Sequence, residues 1–364
     1  MRITFDAKRA FNNETGLGNY SRSVIKSVSS ILKKDQFFLS TPKVNTNIFN
    51  ITQPNIKILQ PNIFQNHYYW RTKGVNRQLN DLKIDIYHGL SNEIPLGIET
   101  KSIVTIHDLL FLKYPKFYNY IDRKIYTIKS RFACKYADKI IATSQETKKD
   151  IINYFNINEK KIKVIYQSCN PVFINNPTRE NYTEFTKKEL AKPFILYVGS
   201  IEKRKNLIFL LKAIQNIKDI KLICVGKKGK YYQKVETFIH QNQLIDKVKF
   251  LNINNTEQLA HIYRHSRGLV YPSINEGFGI PIIEGMYSKI PVITSNKSIF
   301  KEVGGEYSYY FEEQDLDSLI DQIQAIWYDS NERSERIEKN FQYVQKFTEQ
   351  EQANQIIKLY KEII

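Results

Sequence analysis

Two glutamates, Glu276 and Glu284, bracket a glycine-rich turn in the segment SINEGFGIPIIEGMYS. Gly277 and Gly279 would let a ligand approach the backbone closely, and the helix predicted after them would point free N–H groups at an anion. Glu284, expected about two turns inside that helix, could accept hydrogen bonds from a diol such as that of ribose. Glu276, at the turn, is placed to meet a sugar. A capped helix with a flexible glycine entry is the structural alternative, which the paired glutamates make less favoured.

A basic pair, Arg204 and Lys205, follows the apolar run PFILYVGS and precedes a helical pattern. Ligands of open parallel sheets bind at the carboxyl ends of the strands, and two cations beside a helix N-terminus can hold a diphosphate. We expect Lys205 to be solvent-accessible before a ligand binds. A basic cluster by itself is more often solvated surface, but beside the glutamate turn it predicts a diphosphate site.

No metal is needed for such a site, because the two cations and the helix dipole can stabilise a departing diphosphate. The sequence contains one Asp-x-Asp, Asp315–Leu316–Asp317, at the start of a late helical pattern. N-capping explains this motif better than metal binding. We therefore predict no metal ligands.

The first half of the chain carries weaker candidates. Gly16 and Gly18, in GLGNYSR, follow a short apolar strand, and a tight turn would explain them equally well. His107 ends the apolar run SIVTIH, and His88 occupies a comparable position in IDIYHGL. A lone histidine at a strand end is usually structural, so His88 is the lesser candidate.

Short Ile- and Val-rich runs alternate with helical stretches along the chain, which predicts parallel sheets. The alternation stops in a polar segment and restarts near Lys192. We predict a first domain over residues 1–172, a linker over 173–191 and a second domain over 192–345. The last segment, residues 346–364, is predicted to be a helix that crosses back to the first domain.

The basic residues are concentrated in the first half. Residues 1–172 hold 27 Lys and Arg against 13 Asp and Glu, whereas the remainder holds 27 against 24. Such an excess suits an anionic partner: nucleic acid, an anionic lipid surface or a phosphorylated acceptor. Lys and Arg alternate with aromatic residues over 67–77 and 111–136, which predicts peripheral attachment to a membrane. A soluble enzyme whose lysines only confer solubility is the alternative.

The remaining composition is that of a cytoplasmic globular protein. Apolar residues make up 42% and charged residues 25%, and neither a signal peptide nor an apolar run of membrane-spanning length is visible. The three cysteines lie far apart, without the spacing of a disulfide framework or a metal site. We expect them to be reduced and inert.

The glutamate turn and the basic segment GSIEKRKN resemble the retaining glycosyltransferases of family 4, whose E-x7-E element would run from Glu276 to Glu284. The resemblance covers nearly the whole chain and is most specific between Tyr197 and Ser295. It implies an α/β fold of the GT-B class, with two Rossmann-like domains whose parallel sheets face a central cleft. The expected activity is metal-independent transfer of a sugar with retention, without a cofactor.

The resemblance also implies roles for individual residues. Arg204 and Lys205 would hold the donor diphosphate, Glu284 the ribose and Glu276 the transferred sugar. The other implied ligand-binding and catalytic residues are Gly277, Phe278, Gly279 and Ile280 at the turn, Ser200 after the strand glycine, Asn252 and Ile253 in the base-contacting loop, Gly16 and Gly18 in the N-terminal glycine loop, and His107 as the cleft histidine. Many members have Arg where this chain has Ser200, so we expect Arg204 to compensate.

The resulting hypothesis is an enzyme that moves mannose, glucose, N-acetylglucosamine or a similar sugar from a UDP- or GDP-linked donor. Its acceptor would be a saccharide or a lipid-linked saccharide in cell-surface polysaccharide biosynthesis. An epimerase or a phosphorylase-like enzyme is disfavoured, because neither a GxGxxG fingerprint nor a pyridoxal-binding lysine context is visible. A nucleic-acid-binding protein is the alternative of another class, but no recognised nucleic-acid motif is present, and we predict no nucleic-acid partner.

Overall fold

A computed structural model describes residues 1–62, 65–175, 190–253, 255–328 and 332–364. The chain divides into two compact units, the first formed by Met1–Ser168 with Thr348–Ile364 and the second by Cys169–Phe347. Most of the predicted linker, residues 173–191, lies outside the described residues.

The first unit is built on a seven-stranded parallel sheet of strand order β3-β2-β1-β4-β5-β6-β7. Its strands are β1 Arg2–Asp6, β2 Gln36–Ser40, β3 Ile56–Leu59, β4 Ile86–Gly89, β5 Lys101–Ile106, β6 Lys139–Ala142 and β7 Ile162–Val164. The order reverses direction between β1 and β4, which makes that position the topological switch point of a doubly wound sheet.

The second unit is built on a six-stranded parallel sheet of order β10-β9-β8-β11-β12-β13. Its strands are β8 Ile195–Val198, β9 Leu222–Val225, β10 Val248–Leu251, β11 Gly268–Tyr271, β12 Val292–Ser295 and β13 Tyr309–Phe311. Here the switch point lies between β8 and β11. Both strands are buried along their whole length, as expected for a parallel sheet covered on both faces.

Helices follow most of the strands. In the first unit they are α1 Lys8–Asn12, α2 Gly16–Ile31, α3 His67–Tyr69, a π-helical turn Trp70–Gly74, α4 Val75–Asp81, α5 Leu110–Lys113, α6 Tyr120–Tyr136 and α7 Gln145–Phe155, with 3-10 turns at Pro115–Phe117 and Glu159–Lys161. In the second unit they are α8 Pro171–Ile174, a 3-10 turn Lys203–Lys205, α9 Leu207–Gln215, α10 Tyr232–Gln241, α11 Thr256–His265, α12 Ile280–Tyr287, α13 Ser298–Gly304, α14 Leu316–Trp327 and α15 Arg333–Val344.

The last helix, α16 Glu349–Lys361, belongs to the first unit. It packs its apolar face, with Ile356 and Tyr360, into the core that contains α2. Its polar side chains are also used, since the Ser23 hydroxyl donates a hydrogen bond to Glu349 at 2.7 Å and the Gln352 amide donates to the Tyr166 carbonyl at 2.7 Å. These contacts fix the end of the chain on the first unit.

All three cysteines are free and buried, and burial raises the pKa of Cys134 to about 12. This agrees with the expectation of inert thiols.

Candidate functional site

The candidate residues of the second half lie on the two loops that leave the switch point of the second sheet. The basic turn Lys203–Lys205 comes after β8, and the glutamate turn comes after β11, the strand hydrogen-bonded to β8. Loops at the carboxyl ends of two strands that diverge at a switch point form a crevice in which ligands bind. Chain segments about 70 residues apart in sequence are brought together by this topology.

The three charged side chains form one cluster. Arg204 Nη1 lies 2.6 Å from one Glu276 oxygen, and Lys205 Nζ lies 2.7 Å from the other. The side chains are 18%, 12% and 12% exposed, in the order Arg204, Lys205, Glu276. The expectation that Lys205 is solvent-accessible is therefore wrong, because Glu276 holds it in the partly closed crevice.

The charges in this cluster stabilise one another. Burial alone would raise the pKa of Glu276, but Lys205 and Arg204 outweigh burial and lower the pKa to about 2. Burial would lower the pKa of Lys205, but Glu276 raises it to about 12. Arg204 also lies 3.9 Å from Glu202, but that carboxylate is 54% exposed and screened by solvent, so the two cations can still attract an entering anion.

Two residues that the sequence did not indicate complete the cluster. The Lys205 ammonium donates a hydrogen bond to the Tyr271 hydroxyl at 2.9 Å, and Arg204 donates to the Asn275 carbonyl at 2.9 Å. The Asn275 side chain in turn accepts a hydrogen bond from the Glu276 backbone at 2.7 Å. Tyr271 stands at the end of the apolar run GLVY, and that position is the sequence signal available for it.

The helix after the glutamate turn begins where it was predicted. Gly279 precedes α12 with φ of +119°, a conformation that favours glycine. Glu284 is the fifth residue of α12, so it lies about one turn inside the helix rather than the predicted two. Its carboxyl accepts a hydrogen bond from the Tyr263 hydroxyl at 2.9 Å, and burial raises its pKa to about 7, against the lowering effect of that bond.

Comparison with known protein families identifies the family of this chain. The family model described as "Glycosyl transferases group 1" matches residues 178–361, and that described as "Glycosyltransferase Family 4" matches residues 38–171. The chain belongs to glycosyltransferase family 4. As a member it is a retaining glycosyltransferase that uses a nucleotide-sugar donor.

Similar proteins share the whole length of this glycosyltransferase. It is 26% identical to O-antigen chain mannosyltransferase B of Escherichia coli, over 99% of this chain and 100% of that protein. It is 29% identical to O-antigen chain mannosyltransferase RfbU of Salmonella typhimurium, over 86% of this chain and 88% of that protein.

Solved structures establish the GT-B fold. Sucrose-phosphate synthase from Thermosynechococcus elongatus superimposes with a TM-score of 0.79 at 19% identity, covering 100% of this chain and 98% of that one. Anabaena Alr3699/HepE, solved in complex with UDP and glucose, gives a TM-score of 0.77 at 14% identity, covering 100% of both chains. The predicted fold class is confirmed.

The remaining predicted donor residues of the glycosyltransferase lie at the carboxyl edge of the same sheet. Ser200 follows β8 and accepts a hydrogen bond from the Glu202 backbone at 2.9 Å through its carbonyl. Asn252 and Ile253 follow β10, the strand at the edge of the sheet. The Phe278 side chain is 2% exposed and packs edge-on against Phe347, so Phe278 can offer a ligand only its backbone.

In the first unit, the two glycines do not form a loop before the helix but lie in its first turn. A Cβ at Gly18 would stand 1.8 Å from the Asn13 carbonyl oxygen, so local packing requires glycine there. A Cβ at Gly16 would meet nothing within 4 Å. The tight-packing explanation thus accounts for Gly18 and leaves Gly16 without a local structural reason.

Both candidate histidines of the first unit are buried. His107 shares a hydrogen bond of 2.9 Å between Nε2 and the Leu90 carbonyl and packs edge-on against Tyr20. Burial lowers its pKa to about 4, against the raising effect of Leu90, so the ring is neutral at pH 7. His88 is fully enclosed, between the Tyr360 hydroxyl at 2.6 Å and the Thr105 hydroxyl at 3.0 Å, which is a structural role.

Asp315 caps α14, accepting a hydrogen bond from the Ser318 backbone at 3.0 Å, as the N-capping interpretation predicted. Within the described ranges, no group of three or more His, Cys, Asp or Glu side chains is arranged to hold a metal ion. None of the helices in the described part of the chain is both long and apolar enough to cross a bilayer.

Proposed function

We propose that this glycosyltransferase transfers mannose from a UDP- or GDP-linked donor to a saccharide or lipid-linked saccharide acceptor during assembly of a cell-surface polysaccharide. Two relatives that match most or all of this chain are O-antigen chain mannosyltransferases, which supports this choice of sugar and acceptor. The observation that carries the donor site is the cluster of Arg204, Lys205 and Glu276 at the switch point. Two cations beside the N-terminus of α12 suit a diphosphate.

The proposed donor lies along the carboxyl edge of the second sheet. Its diphosphate is held by Arg204 and Lys205 and by backbone N–H groups of Gly277 to Ile280, and its ribose hydroxyls hydrogen-bond Glu284. The base contacts the backbone of Asn252 and Ile253, and Ser200 borders the phosphates. Glu284 suits the ribose because a carboxyl already anchored by Tyr263 presents its other oxygen in a fixed direction.

When no donor is bound, the Glu276 carboxylate is paired with Arg204 and Lys205. An entering diphosphate brings more negative charge than one carboxylate and so competes for Arg204 and Lys205. The Glu276 carboxylate then turns toward the sugar, where it accepts hydrogen bonds from hydroxyl groups. While Glu276 is paired with these cations, its low pKa keeps the carboxylate ionised across the physiological range.

The proposed chemical step combines these charges with the retention of configuration that belongs to the family. The bond between the anomeric carbon and the diphosphate oxygen breaks as the acceptor oxygen attacks the same face of the sugar. The leaving phosphate oxygen takes the acceptor proton, so no separate base is required. Arg204, Lys205 and the α12 dipole stabilise the charge that develops on the diphosphate, which is why no metal is expected.

We assign supporting roles to three residues of the first unit. His107 is proposed as a catalytic residue that acts as a neutral hydrogen-bonding group toward the sugar, consistent with its lowered pKa. The first turn of α2, with Gly16 and Gly18, is proposed to offer backbone N–H groups to donor phosphates.

Peripheral attachment to the cytoplasmic face of an anionic membrane is also proposed. In α6, Ile121, Ile125 and Ile128 recur at helical spacing on the side opposite the buried Ser130, and they are 64%, 43% and 68% exposed. The exposed cations Lys124, Arg131 and Lys135 lie beside this stripe. An exposed apolar stripe bordered by basic residues is typical of helices that lie in the membrane interface.

A panel of sugar nucleotides tests the proposed activity. We expect GDP- or UDP-mannose, but not the matching glucose and N-acetylglucosamine donors, to release nucleoside diphosphate on addition of acceptor, in the presence of EDTA. Turnover of a glucose donor in preference to every mannose donor would overturn the choice of sugar. Loss of turnover in EDTA would overturn metal independence.

Vesicle co-sedimentation tests the membrane proposal. Binding should require anionic lipid, fall with added salt and weaken when Lys124 and Arg131 are changed to Gln. Lys57→Gln, which removes the same charge from exposed β3, is the matched control. Equal binding to neutral and anionic vesicles, or binding to neither, would contradict the proposal.

A further inference from the structure

The first unit has its own crevice at the equivalent topological position. Asp6 ends β1 and Glu93 follows the end of β4, the two strands that flank the switch point of the first sheet. A cavity of about 260 Å³ opens beside them, lined by Lys8, Pro42, His67, Tyr68, Arg71, Thr72 and Lys129. The second-unit residues assigned to the donor all follow strands of the other sheet, and Gly16, Gly18 and His107 of the first unit are not among the residues that line this cavity.

A network of ion pairs forms the base of this cavity. Arg71 Nη2 lies 2.6 Å from an Asp6 oxygen, and Arg71 also pairs with Glu93. Glu93 in turn pairs with Lys129 at 3.2 Å. The Asp6 side chain is 3% exposed and the Arg71 side chain 11%. The carboxylates belong to the base of the cavity, whereas the side chains that line it include cations and no carboxylate.

Lys8 adds a third positive charge to this crevice. Among the described residues, no carboxylate forms a salt bridge with the Lys8 ammonium, although the charges of Asp6 and Glu93 reach it from a greater distance. Burial and the neighbouring Arg71 lower the pKa of Lys8. A bound anion would stabilise the charged ammonium and so counteract this lowering. With Arg71 and Lys129, three cations stand against two carboxylates in this crevice, for a net charge of +1.

The chain segment that carries Arg71 has an unusual local geometry. Trp70–Gly74 forms a π-helical turn between α3 and α4, and such turns are rare and frequently occur at functional sites. The buried Trp70 anchors the turn in the core while Arg71 reaches Asp6. The adjacent Tyr68 ring is 68% exposed, with Lys129 Nζ 5.5 Å from its centroid.

We infer that this cavity binds the phosphate or diphosphate group of a phosphorylated, lipid-linked acceptor, with Lys8, Arg71 and Lys129 as its ligands. The identification of the carrier as the acceptor rests on the proposed function. The size fits, because about 260 Å³ accommodates a diphosphate with some water but is below the ~300 Å³ typical of larger organic ligands. Helix α6 supplies Lys129 to the cavity and also carries the exposed Ile stripe, so a lipid on the phosphate would have an apolar surface on the same helix.

Calorimetric binding of geranyl diphosphate, with geraniol as the uncharged comparison, tests the site on the full chain. We expect geranyl diphosphate to bind, geraniol not to bind detectably, and Lys8→Gln to weaken geranyl diphosphate binding at least tenfold. Lys57→Gln, the matched loss of an exposed charge in the same unit, should change affinity less than twofold. Lys129→Gln provides a second variant with the same expected direction, and thermal unfolding verifies that each variant is folded. Equal affinity in the Lys8 and Lys57 variants would overturn the inference.

Two further arms separate the possible sources of binding. The donor site could itself capture a diphosphate, so Lys205→Ala should retain geranyl diphosphate binding, and abolition of binding in that variant would overturn the inference. The site could instead take bilayer headgroups, in which case Lys8→Gln would reduce binding to phosphatidic acid vesicles as strongly as Lys124→Gln. We expect Lys8→Gln to bind these vesicles within twofold of wild type. A loss as large as that of Lys124→Gln would overturn the inference.

The outcome is independent of the test of sugar transfer. Lys8-dependent geranyl diphosphate binding without turnover of any sugar nucleotide would leave the anion site standing and remove the proposed function. Turnover of a mannose donor without Lys8-dependent binding would support the proposed function and overturn the anion site.

Discussion

Lys205 Nζ lies 2.7 Å from a Glu276 oxygen, so the residue proposed to hold the donor diphosphate is paired with the residue proposed to contact the sugar. The pair joins a loop after β8 to a loop after β11 across the switch point of the second sheet. Both side chains are mostly buried, so neither is free in solvent before a ligand binds. In the proposed donor site, binding would therefore exchange one anion for another on the same cations and link occupation of the diphosphate site to release of Glu276.

Replacing Lys205 by Ala should impair donor use while leaving the second unit folded. Loss of a hydrogen bond to a charged group costs about 1.5–3 kcal/mol, equivalent to roughly a 10- to 150-fold fall in kcat/KM for the donor. Lys203→Ala is the matched control, since Lys203 is exposed in the same turn. If the two variants had equal kcat/KM values, Lys205 would not belong to the donor site.

Glu276→Gln and Glu284→Gln should separate kinetically. Glu284, assigned to the ribose, should mainly raise the KM for the donor, because that part of the donor does not change during the reaction. Glu276, assigned to the reacting sugar, should also lower kcat. Steady-state kinetics with varied donor distinguishes them, and an effect of both variants confined to the KM for the acceptor would show that the donor map is wrong.

The same two glutamates should differ in how they affect stability with pH. Glu284 has a raised pKa of about 7, so its contribution to folding is complete below the unfolded pKa of about 4.3 and is lost as pH rises through 7. Glu284→Gln, which stays neutral, should therefore gain stability relative to wild type between pH 5 and pH 8, by about 1–3 kcal/mol.

Glu276→Gln provides the control for this effect. Its pKa is lowered to about 2, so its contribution is present above the unfolded pKa and is lost only under acidic conditions. The difference between this variant and wild type should stay constant from pH 5 to pH 8. Thermal unfolding midpoints at the two pH values measure both effects. A constant difference for Glu284→Gln as well would rule out a raised pKa.

The two glycines at the start of α2 should respond differently to alanine. Gly18→Ala places a Cβ 1.8 Å from the Asn13 carbonyl oxygen and should destabilise the protein by about 1–3 kcal/mol. Gly16→Ala meets nothing within 4 Å and should leave the unfolding midpoint unchanged or slightly raised. Any loss of kcat/KM for the donor in the Gly16 variant would then reflect ligand approach rather than misfolding. Equal destabilisation of the two variants would contradict the packing around Gly18.

Much of the fold could be predicted because most strands are continuous apolar runs buried on both faces, as in β8 and β11. Of the strands that were not predicted, β2 carries this signal in four consecutive buried residues and was overlooked, whereas β3 and β13 lack it. β3 exposes Lys57 and Ile58 at the edge of the first sheet, and β13 is only three residues long. Edge strands and very short strands carry too little apolar periodicity to be distinguished from loops.

Only those residues of the candidate site that belong to recognisable motifs could be predicted. Arg204, Lys205 and Glu276 could be named because their residue types stand next to recognisable turns. Their pairing with one another could not be predicted, and neither could the hydrogen bonds of Tyr271 and Asn275. Those depend on which loops meet at the switch point, a property of strand order rather than of local sequence.

Calorimetric binding of nucleoside diphosphate and nucleoside monophosphate to wild type and to the double variant Arg204→Gln, Lys205→Gln tests whether Arg204 and Lys205 form the diphosphate site. We expect wild type to bind GDP or UDP at least tenfold more tightly than the matching monophosphate, because only the diphosphate reaches both cations. This preference should disappear in the double variant, while affinity for the monophosphate changes little. An undiminished preference for the diphosphate in the double variant would show that the diphosphate is bound elsewhere and that these two cations are not its site.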